Sequence, residues 1–164
     1  MASAFAVRKQ EICNTLKSEV TIHYNGKSIT TIALWDTGAT NSCVSKKVVS
    51  DLGLVMTGKA PMKTPSGQRL ANTYLVDVTL PNDVPVPDLM VCDSEIGSQG
   101  IGMLIGMDII NKGDFTVSNH QGKTVFSFRM PSEGVMDFVT GIKMSNIIKA
   151  NRTHNNKFKP KRKK

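Results

Sequence analysis

A chain of 164 residues, 40% apolar and 21% charged, can bury one ordinary core and is too balanced in composition to be disordered. No run approaches the roughly 20 apolar residues that cross a bilayer, so a soluble protein without a membrane partner is expected. The formal charge of +8 is local: nine of the 21 Lys and Arg lie from Phe138 onward with no acid among them, leaving 12 positive against 13 negative charges elsewhere.

The opening stretch, residues 1–7, is mildly apolar but stops at Arg8, too short for a secretory signal. With Met1 in front, a free gene product is expected, and residues 1–18 are read as an N-terminal segment. Cys13, Cys43 and Cys92 lie far apart, lack metal-type spacing and cannot all pair, so reduced thiols in the cytoplasm are the simplest account. His23, His120 and His154 sit on separate segments, and neither a metal nor a cofactor is expected.

Val20, Ile22 and Tyr24 alternate with polar residues, Asn25-Gly26 supplies a tight turn, and the chain returns through Ile32 and Leu34, which predicts a β-hairpin. Tyr74, Val76, Val78 and Leu80 predict a second strand that Pro81-Asn82-Asp83 ends. Residues 86–91, interrupted by Pro87, predict an edge strand. A polar, Gly-rich stretch from Asp93 to Gly100 leads into the apolar run from Ile101 to Met107, followed by a short helix around residues 108–112 that Gly113 ends. Residues 115–117 and 124–128 predict a last hairpin. Short strands with one short helix indicate an all-β, closed barrel-like domain over residues 19–130. In the extension, residues 131–164, Val135, Phe138, Val139 and Ile142 fall at helical spacing, opposed by Gly134 and Gly141, and residues 151–164 are expected to be an unstructured basic tail.

The chemistry concentrates at Leu34-Trp35-Asp36-Thr37-Gly38-Ala39-Thr40. Strand alternation places Asp36 on the face of Ile32 and Leu34, toward the interior or the floor of a cleft cut into it. Gly38 lets the backbone turn closely behind the carboxylate, while Ala39 and the Thr37 hydroxyl leave room and a hydrogen-bonding group beside it. Asp108 is read as capping the short helix, and Trp35 as packing. Gly97, Gly100 and Gly102 are in the wrong order for a dinucleotide fingerprint.

The Asp-Thr-Gly-Ala tetrad after apolar residues resembles the active-site loop of retropepsin-like aspartic proteases. About 65 residues later, Leu104-Ile105-Gly106 and the following Met107-Asp108-Ile109-Ile110 resemble that family's second motif. The resemblance implies that the two motifs are neighbours in space, with Asp36 catalytic. It also implies that residues 60–70 form a flap over a polypeptide substrate, with Ser66 and Gly67 at its tip. An aspartic protease needs two carboxylates sharing one proton, and no second Asp-Thr-Gly or Asp-Ser-Gly exists here. A homodimer, placing two copies of Asp36 about a two-fold axis, supplies the pair; the family likeness implies the same, with each Thr37 hydroxyl bracing the opposite loop. The alternative is a catalytically silent binding or assembly module, with the basic tail contacting nucleic acid or an acidic partner.

Overall fold

The computed structural model describes residues 1–64 and 67–157; Ser66 and the tail from Phe158 lie outside the described residues. Within them the strands are β1 (Ser3–Arg8), β2 (Leu16–Tyr24), β3 (Lys27–Trp35), β4 (Cys43–Ser45), β5 (Gly58–Thr64), β6 (Gly67–Leu80), β7 (Val84–Ser94), β8 (Met103–Ile105), β9 (Asp114–Ser118) and β10 (Val125–Met130). The helices are α1 (Lys46–Leu52), α2 (Met107–Ile110) and α3 (Phe138–Lys157).

The β2–β3 hairpin forms as expected around Asn25 (φ 45°) and Gly26 (φ 75°), the left-handed pair that a tight two-residue turn requires. Its register runs from Leu16 opposite Trp35 to Tyr24 opposite Lys27. Every even-numbered residue of β2 therefore faces an odd-numbered residue of β3. Val20 and Ile22 share the core face with Thr31 and Ile29, and onward with Ala33 (0% exposed) and Trp35 (5%). The expected inward face of Ile32 and Leu34 is the outer one, with Ile32 37% exposed. Asp36, next in that alternation, leaves the barrel on its outward side.

From β3 the sheet continues through β8 and β4 to β7 and β6, and β6 pairs back with β2 to close a six-stranded barrel. The closed all-β fold read from the strand signals is correct. Residues 86–91 also have the edge character expected of them, since β7 is flanked on its other side only where β4 pairs with residues 92–94. β4 reaches only Cys92 to Ser94 counted from its pairing with Cys43 to Ser45, so Pro85 and Pro87 fall in the half of β7 bonded to β6 alone. A bulge there sets Asp88 at φ 51°, its N–H donating to Asp77 Oδ1 at 2.9 Å.

β1, β10 and β9 form a second, three-stranded sheet in that order. Phe5, Phe115, Phe126 and Phe128 from this sheet surround Trp35 of the barrel, Trp35 stacking on Phe115 with centroids 5.3 Å apart and planes 2° from parallel. The Trp35 indole N–H, otherwise an orphan donor in this apolar cluster, reaches Ser18 Oγ at 3.0 Å.

α1 was not anticipated. Ser45 caps it by accepting the Val48 N–H at 3.2 Å, Gly53 (φ 65°) ends it, and Val48 and Leu52 are buried. From Gly134 the chain forms a separate unit whose helix α3 is capped by Asp137 accepting the Val139 N–H at 2.8 Å. α3 runs on to Lys157, into the stretch read as unstructured, and among the described residues no helix is long and apolar enough to cross a membrane.

At the start of β9, Asp114 accepts from Arg129 Nε (2.9 Å), Ser132 Oγ (2.6 Å) and the Glu133 N–H (3.0 Å). These bonds, the Ser132 hydroxyl foremost, hold its carboxyl at about 2, below the ordinary 3.8. A depressed carboxylate pKa adds stability that is full above 3.8 and disappears as pH falls through about 2. Thermal melts from about pH 5 to about pH 2 are expected to show a steeper loss for the wild type than for Asp114→Asn; parallel curves would count against the network.

Candidate active site

Asp36 lies immediately past the end of β3, and its backbone N–H continues the β3–β8 ladder by donating to the Ile105 carbonyl at 2.9 Å. The chain then turns, the Ala39 N–H returning to the Asp36 carbonyl at 3.2 Å. The Asp36 carboxylate is half-buried, and its Oδ1 accepts the Gly38 N–H at 2.8 Å. Thr37 and Gly38 are exposed, and Ala39 is half-buried. The acid is therefore oriented by its own loop while staying open to the outside of the subunit.

The two sequence motifs meet. β3 and β8 pair in parallel, with Leu34 opposite Leu104 and Trp35 opposite Ile105. Ile105 points into the core at 0% exposure, while Leu104 packs beside Cys43 and Cys92 in a smaller apolar cluster. Gly106 is required by close approach: a Cβ there would lie 2.7 Å from the Asn41 carbonyl carbon and 2.9 Å from the Ala39 oxygen.

Beyond Gly106, α2 docks onto the acid's loop. The first N–H groups of a helix have no partner within it, and here the Met107 and Asp108 N–H groups donate to the Ala39 and Thr40 carbonyls at 2.8 and 3.2 Å. Asp108 accepts the Ile109 N–H at 2.9 Å, but its larger role is across the fold. Its Oδ2 takes the Ser42 N–H at 2.8 Å and its Oδ1 the Ser42 hydroxyl at 2.7 Å, while Ser42 Oγ accepts the Gly106 N–H at 3.0 Å. The expected capping role was too local. Ser42 escaped the sequence reading because nothing beside it in the chain marks a partner 66 positions away.

The β5–β6 arm occupies the residues read as a flap, pairing from Gly58 opposite Thr73 to Thr64 opposite Gly67. Gly67 adopts φ 123° at the start of β6; Ser66 lies outside the described residues. At the arm's root, Ala60, Met62 and Ala71 pack with Leu104, Cys43 and Cys92. The two cysteines are register partners on β4 and β7 and are unpaired. Burial pushes the Cys43 thiol up to about 11 and raises that of Cys92, so neither is a ready nucleophile.

Ser42 is fully buried, and its hydroxyl both donates and accepts. Removing it orphans one Asp108 bond and the Gly106 N–H, so Ser42→Ala is expected to cost about 1–3 kcal/mol. Urea denaturation measures this, and a variant as stable as wild type would show that the bonds contribute nothing.

Comparison with known proteins agrees with this geometry. The aspartyl protease family pattern matches residues 19–109, just over half the chain, and includes both motifs. A retropepsin-like aspartic protease from Rickettsia conorii is 13% identical with a TM-score of 0.50, covering 79% of this chain and 96% of its own. The EIAV protease complexed with the inhibitor HBY-793 is 17% identical with a TM-score of 0.46, covering 60% and 86%. The retroviral protease-like domain of Ddi1 from Leishmania major is 16% identical with a TM-score of 0.41, covering 60% and 78%. No curated protein matches the chain. With the family pattern spanning the barrel from β2 to α2, and both motifs paired side by side within it, this chain belongs to the aspartyl protease family and has the retropepsin-like fold.

Proposed function

We propose that this chain is one subunit of an aspartic endopeptidase, active as a homodimer in which two Asp36 carboxylates hydrolyse peptide bonds. The observation that carries this reading is the half-exposed Asp36 carboxylate, oriented at 2.8 Å by the Gly38 N–H on a loop tied at both ends. The chain holds one Asp-Thr-Gly, so the second acid comes from a second copy.

Two carboxylates about 3 Å apart cannot both ionise, so the pair shares one proton. The ionised member takes a proton from a water lying between them, and the resulting hydroxide attacks the scissile carbonyl carbon. The protonated member donates to the carbonyl oxygen, giving a neutral tetrahedral diol with no covalent bond to the protein. Proton transfer to the leaving nitrogen then breaks the C–N bond. In this reading the Gly38 N–H orients each carboxylate, and Thr37, exposed on its loop, braces the opposite loop. The β5–β6 arm, with Gly67 at the far end of its described pairing, covers an extended polypeptide. Such a site works in the cytoplasm without a cofactor.

Incubation of a diverse peptide pool with wild type and Asp36→Asn, from acidic to neutral pH, tests the reading. The variant is expected to lose turnover by roughly 10³-fold or more, while sedimentation gives a species twice the 17.9 kDa chain mass. Equal cleavage by both proteins removes the assignment. A stable dimer that cuts nothing across that pH range supports the silent binding module instead.

A further inference from the structure

The β5–β6 arm leaves the barrel at a definite point. Pairing of β6 with β7 begins at Thr73 opposite Cys92, so residues 67–72 have β5 as their strand partner. A two-stranded ribbon is marginal in water and needs tethering to hold one angle.

The tether is Asp93, the residue after Cys92, only 6% exposed. Its two carboxylate oxygens accept the Asn72 N–H and the Asn72 side-chain amide, each at 3.1 Å. The Arg69 guanidinium stands 3.7 Å from Oδ1, donates to the Asp93 carbonyl at 2.7 Å, and reaches the Met62 sulfur on β5 at 3.6 Å. A buried carboxylate is costly unless its bonds are made. Here both Asn72 donors and the facing cation belong to the arm, so swinging the arm away would strand the acid.

We propose that Asp93, with Asn72 and Arg69, is the pin that sets the angle of the arm and so its grip on substrate. Asp93 is a positioning residue and touches no reacting atom. The effect on substrate rests on the endopeptidase reading; the effect on the arm does not.

Hydrogen exchange read by mass spectrometry on the full chain tests the pin, using Asp93→Asn, Arg69→Met and Arg69→Lys. Amides at residues 59–64 and 67–72 are expected to exchange about tenfold faster in the first two variants, with the β2–β3 hairpin unchanged and Arg69→Lys partly restored. On a cleaved peptide, KM should rise several-fold with kcat little altered, the split expected when substrate grip and not chemistry is lost. Because replacing buried Asp93 risks the fold, Arg69→Met, at a side chain 37% exposed, decides alone. Unchanged arm exchange in that variant overturns the pin. Faster exchange with unchanged KM overturns its role in substrate grip, and faster exchange in a protein whose wild type cleaves nothing keeps the pin while removing the endopeptidase reading.

Discussion

A carboxylate and a hydroxyl far apart in sequence hold the frame on which Asp36 sits. Asp108 binds Ser42 through both the backbone N–H and the side chain, and Ser42 binds Gly106 in turn. The loop from Asp36 to Ser42 makes little of its own ladder, so these bonds, with those from Met107 and Asp108 to the Ala39 and Thr40 carbonyls, replace it. Bonds to a charged acceptor are stronger than neutral ones and more directional than apolar contact. From the core side the same loop is held by Trp35, clamped among four phenylalanines. The carboxylate of Asp36 thus inherits its position from two independent restraints, one polar and one aromatic.

The β5–β6 arm is built on another principle. Its strands have partners only in each other beyond Thr73, and its root rests on the small cluster of Cys43, Ala71 and Cys92 with Met62 and Leu104. Few apolar contacts and no third strand describe an element that frays at low free-energy cost beyond its Asp93 anchor. Under the endopeptidase reading, a firmly held acid loop and a more yielding arm suit a site that must admit a long chain and then hold it. The Asp93 cluster is the place where those two mechanical regimes join.

Much of this was legible in the sequence because it is encoded locally. Asn25-Gly26 announces its hairpin, and the two motifs announce each other by spacing. What failed to be read depends on parity or distance. Ile32 and Leu34 pointed to an inward face of β3, yet the two-residue turn puts Ala33 and Trp35 on the face that Val20 and Ile22 of β2 bury. The prolines of β7 announced its edge half, but nothing announced that the strand runs on past them to Ser94, where β4 pairs with it. The cap signals of α1 were present in Ser45 and Gly53, masked by two adjacent β-branched residues, Val48 and Val49, of weak helix propensity. The Ser42–Asp108 pair had no local signal at all.

Under the dimer reading, the outward face of β3 also explains why half a site is tolerable in a single chain. A carboxylate delivered into the core would need a partner to avoid a large desolvation cost. Delivered outward, beside Ile32 and half-buried Leu34, Asp36 keeps part of its hydration and one amide bond. Under the dimer reading, the cost of bringing two such acids together is met at association and relieved by the shared proton, so protonation and assembly are linked. The strand parity that sequence reading missed is then what lets the subunit fold first and complete its chemistry second.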